Sequence, residues 1–212
     1  MPTADQNRAA SVEVFTRTAD NSALYSALAE AVEISDIGEK AGFDSGPDYR
    51  LIRIDRRLDV TSDREFEIAL IDDLELSVAY YAKVTLLPSL NANSRPVARH
   101  QFWRSANMRH SAMLRDISQK LLFSYIVRNY DLLIMEDSAS NEGKFYWLRQ
   151  VSRAIERGLH VYASDVITQE LKPLSTQRAL KDMQNQAWSC TDPYSLRALI
   201  SIYPLDINKH AL

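Results

Sequence analysis

The chain has 212 residues and a mass of 24.2 kDa, with 46% hydrophobic residues, 25% charged residues and a formal net charge of −3. This balance belongs to an ordinary folded domain and excludes disordered, collagen-like and low-complexity chains. A lone cysteine, Cys190, excludes an intramolecular disulfide and a multi-cysteine zinc site, and no apolar run reaches the ~18 residues of a membrane span.

Residues 1–20 are polar and mixed and read as a loose lead-in to one domain over 21–212. The opening MPTADQNRAASVEVF lacks the apolar core of a signal peptide, so the expected location is the cytoplasm, without membrane contact. Over 21–34, Leu24, Leu28, Ala31 and Val32 recur at helical spacing behind Asp20 or Asn21 as cap. Residues 35–48 hold three of the five glycines and Pro47, and predict a loop.

The segments 49–57, 65–71 and 75–87 alternate or are rich in β-branched and aromatic residues. Joined by short polar turns, they predict an antiparallel meander, with 97–104 a further strand or edge. Residues 111–128 predict an amphipathic helix with Leu114, Ile117, Leu121, Leu122 and Tyr125 as its buried stripe. The run DLLIME at 131–136 reads as a central strand buried on both faces. A helix capped by Ser138 or Ser140 then runs to about Glu156, buries Trp147, Leu148, Val151 and Ile155, and stops at Gly158.

Residues 159–164 predict a strand, 175–188 a helix capped by Ser175, with Leu180, Met183 and Trp188 inward, and 195–203 a final strand or short helix. The fold class is therefore α/β. A single domain carries a mixed sheet, in which an antiparallel meander precedes a parallel strand–helix–strand unit. The right-handed crossover rule makes 131–136 and 159–164 parallel neighbours near the sheet centre.

Five glycines are few, since an average chain of this length carries about 15. Neither G-x-G-x-x-G nor G-x-x-x-x-G-K-[ST] nor G-x-S-x-G occurs, which argues against Rossmann, P-loop and α/β-hydrolase sites. His100, His110, His160 and His210 lack metal-ligand spacing, so no metal site is expected. Cys190 reads as a packed thiol, and Asp165 as a cap or turn residue as readily as a catalytic one.

From Arg95 to Arg128 the cations Arg95, Arg99, Arg104, Arg109, Arg115, Lys120 and Arg128 face one acid, Asp116. Such a tract can grip phosphates, present a protein-binding face, or simply be a solvated helix and a protected strand edge. Phe102 and Trp103 among the arginines are better explained as core than as base-stacking groups, so nucleic acid is the weaker partner assignment. At 134–147 a buried strand ends in Glu136 and Asp137, and a Ser/Asn-rich turn opens the next helix. Ligands gather beyond the carboxyl ends of strands in open α/β sheets, and Glu136 or Asp137 is a candidate general base there. The alternative is that Asp137, Ser138 and Ser140 only cap the helix.

The segment order, with IMEDSASNEGKFYWLRQVSRAIERGLHVYASD at its centre, resembles the GNAT acetyltransferase superfamily. More narrowly, it is similar to the divergent acetyltransferase-like proteins of phages and prophages. The shared pattern is a strand ending in an acid, a Ser/Thr-rich turn, a Gly-x-x-x-Trp helix and a Gly-x-x-Val-Tyr strand. The resemblance implies acetyl-CoA bound where two central strands splay apart, with its pyrophosphate on a loop before the long helix.

That loop matches Met108–Leu114, where Arg109 and Ala112 are compatible and both family glycines are missing. Arg104, Arg109, Ser111, Ala112 and Arg115 are then the expected cofactor-binding residues, and Tyr146 matches the family's general acid. An anion is expected between the end of strand 131–136 and the start of helix 111–128, touched by Arg104 or Arg109. Two functions follow. One is an acyl-CoA-dependent N-acyltransferase with a degenerate pyrophosphate loop. The other is a catalytically inactive GNAT-fold binding protein of phage origin that acts on a host protein or nucleic acid through the 95–128 face.

Overall fold

A computed structural model describes residues 18–58, 64–87, 95–135, 141–164, 171–189 and 197–205. The α/β class holds. The described strands form a nine-stranded mixed sheet in the order β1-β2-β3-β4-β5-β6-β9-β7-β8. The chain divides into two compact units, Met1–Leu86 with His100–Ser124 and Leu87–Arg99 with Tyr125–Leu212. The division falls inside β5 and inside a helical segment, not at a Pro/Gly-rich linker.

In the first unit, α1 (Thr18–Ala29) leads into β1 (Ile34–Asp36), the single turn α2 (Gly38–Ala41), and the strands β2 (Tyr49–Asp55), β3 (Glu65–Asp72) and β4 (Ser77–Leu87). The meander is antiparallel, with Ile52 opposite Ala69 and Ala69 opposite Tyr81. Beyond its first residue β3 is buried throughout, because both its faces are covered. On one face Ile52, Ile54, Ala69, Ile71, Val78 and Tyr81 pack with Leu28 of α1, flanked by Leu24 and Tyr25.

Asn21 is not a cap. It lies inside α1, donates Nδ2 to the Val78 carbonyl at 3.1 Å and accepts the Val78 N–H at 2.6 Å, so it ties the helix to the start of β4. Val32, expected inward, is 99% exposed, since the helix ends at Ala29. The predicted loop 35–48 is partly built: β1 pairs with β2, and Ile37, Ala41 and Phe43 are buried.

A register shift between Leu70 and Ile71 marks a bulge at Ala79, the β4 residue left without a partner on β3. The Ala79 carbonyl accepts the N–H of Ser105, just past the end of β5 (Val97–Arg104). The predicted 111–128 helix is helical but not uniform. A 3-10 turn (Met108–His110) leads to α3 (Ser111–Leu114) and α4 (Ile117–Gln119), then to a π segment (Lys120–Ile126) and α5 (Val127–Asn129). Its stripe of Leu114, Ile117, Leu121, Leu122 and Tyr125 is buried as the periodicity predicts.

The second unit contains β6 (Asp131–Met135), α6 (Asn141–Glu156), β7 (His160–Ser164), β8 (Leu171–Pro173), α7 (Gln177–Ser189) and β9 (Arg197–Ser201). Residues Asp131–Ile134 are buried, as a central strand requires. The expected pairing of 131–136 with 159–164 is corrected. β9 lies between β6 and β7 and is antiparallel to both, with Ile200 opposite Leu132 and Val161. The run Ala198–Ser201 is buried, and its backbone groups need partners on both edges. A strand inserted between two parallel ones supplies two antiparallel ladders, each slightly stronger per residue than a parallel one.

The parallel pair is instead β5 with β6, joined by the 108–129 helical segment, and its ladder runs from Val97–Asp131 to Arg99–Leu133. The α6 stop is as expected: Gly158 has φ +71°, its N–H reaches the Ile155 carbonyl, and the Leu159 N–H reaches Ala154. The buried face of α6 is Trp147, Gln150, Val151 and Ala154, with Leu148 and Ile155 half-buried. In α7 the cap is Thr176, whose Oγ1 accepts the Ala179 N–H, and Leu180 is buried.

Candidate functional site

The sequence-predicted cofactor residues all belong to the first unit. Arg104 ends β5 with its side chain exposed. Ser111 and Ala112 are exposed on α3, and Arg115 is exposed at its C-terminal end. Of the predicted catalytic residues, Glu136 and Asp137 lie outside the described residues, as do Ser138, Ser140, Asp165, Cys190 and His210. Tyr146 is half-buried on α6, in the second unit.

The loop before α3 is built differently from an open anion cradle. Asn107 Oδ1 accepts the Arg109 N–H at 3.1 Å, and the Asn107 carbonyl accepts the His110 N–H at 3.1 Å. The Ser111 N–H goes to the Met108 carbonyl. The N–H groups of Arg109, His110 and Ser111, which an anion before α3 would take, are thus engaged within the 3-10 turn and its Asn107 cap.

Arg109 carries the most informative side chain. Its Nε donates to Asp72 Oδ2 at 3.0 Å and its Nη1 to Glu75 Oε1 at 2.9 Å. Asp72 is completely buried at the end of β3, and its Oδ1 accepts the N–H groups of Leu74 (3.1 Å) and Glu75 (3.0 Å). This Asx turn shapes the β3–β4 connection, where Leu76 sits at φ +48°. Tyr49 Oη and His110 Nδ1 stand 3.0 Å apart, and His110 Nδ1 is 3.8 Å from Asp72 Oδ2.

The charges follow from these contacts. Burial pushes the Asp72 carboxyl up, but the Glu75 N–H, the Arg109 guanidinium and Tyr49 together pull it below the ordinary carboxylate range. Burial, then Asp72, raises the Tyr49 hydroxyl. Burial lowers His110, so its ring is held toward the neutral form.

Asp73, the next residue, anchors a second cluster. Its carboxylate receives Arg50 Nε at 2.5 Å and Nη2 at 2.8 Å, and Tyr25 Oη at 2.7 Å. Two adjacent acids, the last residue of β3 and the first of the turn, thus anchor two separate sets of partners. The pair Asp72-Asp73 is the signal that sequence reading passed over.

The basic tract is also partly spent on structure. Arg95 donates to the buried Asp131 at 3.2 Å and to the Val127 carbonyl at 2.8 Å. Lys120 lies 5.4 Å from the Phe43 ring centroid. Arg104, Arg115 and Arg128 are exposed. Farther along β5, His100 stacks on Phe102 at 5.7 Å and Phe102 on Tyr80 at 6.0 Å, and burial holds the His100 pKa down to about 4.

Among the described residues no group of three His, Cys, Asp or Glu side chains is placed to hold a metal ion, and no helix is long and apolar enough to cross a membrane. Comparison with protein-family models gives no match for this chain, and comparison with curated proteins gives none either.

Proposed function

We propose that the chain is an acyl-CoA-dependent N-acyltransferase of the GNAT type with a degenerate pyrophosphate loop. The observation that supports this most is the β5–β6 pair. Its parallel ladder holds three residues on each side, while β5 has eight residues and β6 five. A short parallel ladder inside a mixed sheet, its two strands joined by a helical segment, is what the resemblance requires of the strands that receive acetyl-CoA.

The chemistry is direct attack of a substrate amine on the thioester carbonyl. The amine loses its proton to a carboxylate base, Glu136 or Asp137, and the C–S bond breaks. Tyr146 protonates the departing thiolate, which leaves an amide and CoA. Arg104, Arg109 and Arg115 stand in for the missing glycines as phosphate contacts.

The pairing of Arg109 with two carboxylates favours the second reading, a catalytically inactive relative whose exposed cations bind a protein partner. Calorimetric titration with acetyl-CoA and with CoA separates the two. Saturable binding that depends on Arg104 or Arg109 supports the acyltransferase, and its absence supports the partner-binding protein.

A further inference from the structure

We propose that Glu75 is a built-in competitor for the phosphate contact of Arg109, so that anion binding at this arginine is self-inhibited. The inference rests on the acyl-CoA reading for its ligand, and on the turn geometry for everything else. Arg109 makes two ion pairs of unequal kind. Asp72 is fully buried and has one oxygen already filled by two backbone N–H groups, so its pair with Arg109 Nε fixes where the guanidinium lies.

Glu75 differs. Its side chain is 52% exposed, and its contact is with the outward Nη1. Exposed pairs of this sort are weak, since water and salt screen them. The geometry therefore gives a positioned guanidinium whose outer N–H is covered by a displaceable carboxylate. A phosphate oxygen is a better partner for that N–H than a carboxylate, because it carries more charge and more acceptor atoms. Asp72 orients, and Glu75 must leave.

Glu75→Gln removes the competing charge, and Arg109→Gln removes the site. The test titrates wild type and both variants with CoA and with inorganic pyrophosphate at low and moderate salt, after thermal unfolding has shown each to be folded. The expected result is that Glu75→Gln binds CoA and pyrophosphate roughly two- to five-fold more tightly than wild type, the range that loss of one exposed pair gives. Arg109→Gln should bind neither measurably.

Appearance of binding only in Glu75→Gln would support the proposal in its strongest form. If wild type binds CoA and neither substitution changes the affinity, the proposal falls while the acyl-CoA reading stands. A gain for pyrophosphate with no CoA binding in any variant supports the anion site and overturns the acyl-CoA reading. Absence of binding to either ligand in all three proteins overturns both.

Discussion

Asp72 and Arg109 lie 37 residues apart in the chain and meet at 3.0 Å, Oδ2 to Nε. The contact joins the end of β3 to the turn that starts the 108–129 helical segment. It also places a conspicuous cation of the basic tract against a fully buried acid. A residue that looks in sequence like a free phosphate contact is thus first a structural tie.

Asp72→Ala should therefore destabilise the first unit by about 1–3 kcal/mol, because it strands the N–H groups of Leu74 and Glu75 and releases Arg109. Asp72→Asn keeps one acceptor for the turn and should cost less. Urea unfolding of the two variants checks the order. Equal midpoints for Asp72→Ala and wild type would contradict the clamp.

Trp147 is 2% exposed on α6, and its buried indole N–H has no hydrogen-bond partner among the described residues. Trp147→Ala should cost about 3–5 kcal/mol, the usual range for removal of a large aromatic from a core. Trp147→Phe keeps most of the packing and discards the stranded donor, so it should cost much less. Denaturant midpoints of the two variants measure the difference. A Phe variant as unstable as the Ala variant would show that the indole N–H is used.

His100 gives the pH prediction. Its pKa is about 4 in the folded chain, against about 6.5 for a free imidazole. Between those values the unfolded chain binds a proton that the folded chain does not. Stability from this group is therefore full above about pH 6.5 and falls as the pH drops toward 4. His100→Phe preserves a ring to stack on Phe102 and should flatten the fall of melting temperature over pH 6.5 to 5. Parallel curves for variant and wild type would assign the fall to other groups.

The meander, the buried DLLI of β6 and the Gly158 stop were legible because each rests on local physics: alternation, an apolar run, and a φ that glycine adopts at no cost. The place of β9 was not legible. RALIS pairs with β6 and β7 across gaps of more than thirty residues, and nothing local in it says which edges it fills. The role of Arg109 was hidden for the same reason. Its charge could be counted in the sequence, but its neutralisation by Asp72 and Glu75 depends on a fold that brings residues 72–75 to residue 109. Asn21, offered with Asp20 as the helix cap, instead lies inside α1, and its partner is a backbone 57 residues away that no local pattern announces.

The most direct test of the acyl-CoA reading is calorimetric titration of the whole chain with CoA. With the loop glycines absent and Arg109 already paired, the account predicts saturable but weak binding, micromolar at best, about −8 kcal/mol or less favourable. Arg109→Glu should abolish it. No heat of binding at millimolar CoA, in wild type and in Glu75→Gln alike, would contradict the account, as would tight binding that survives Arg109→Glu.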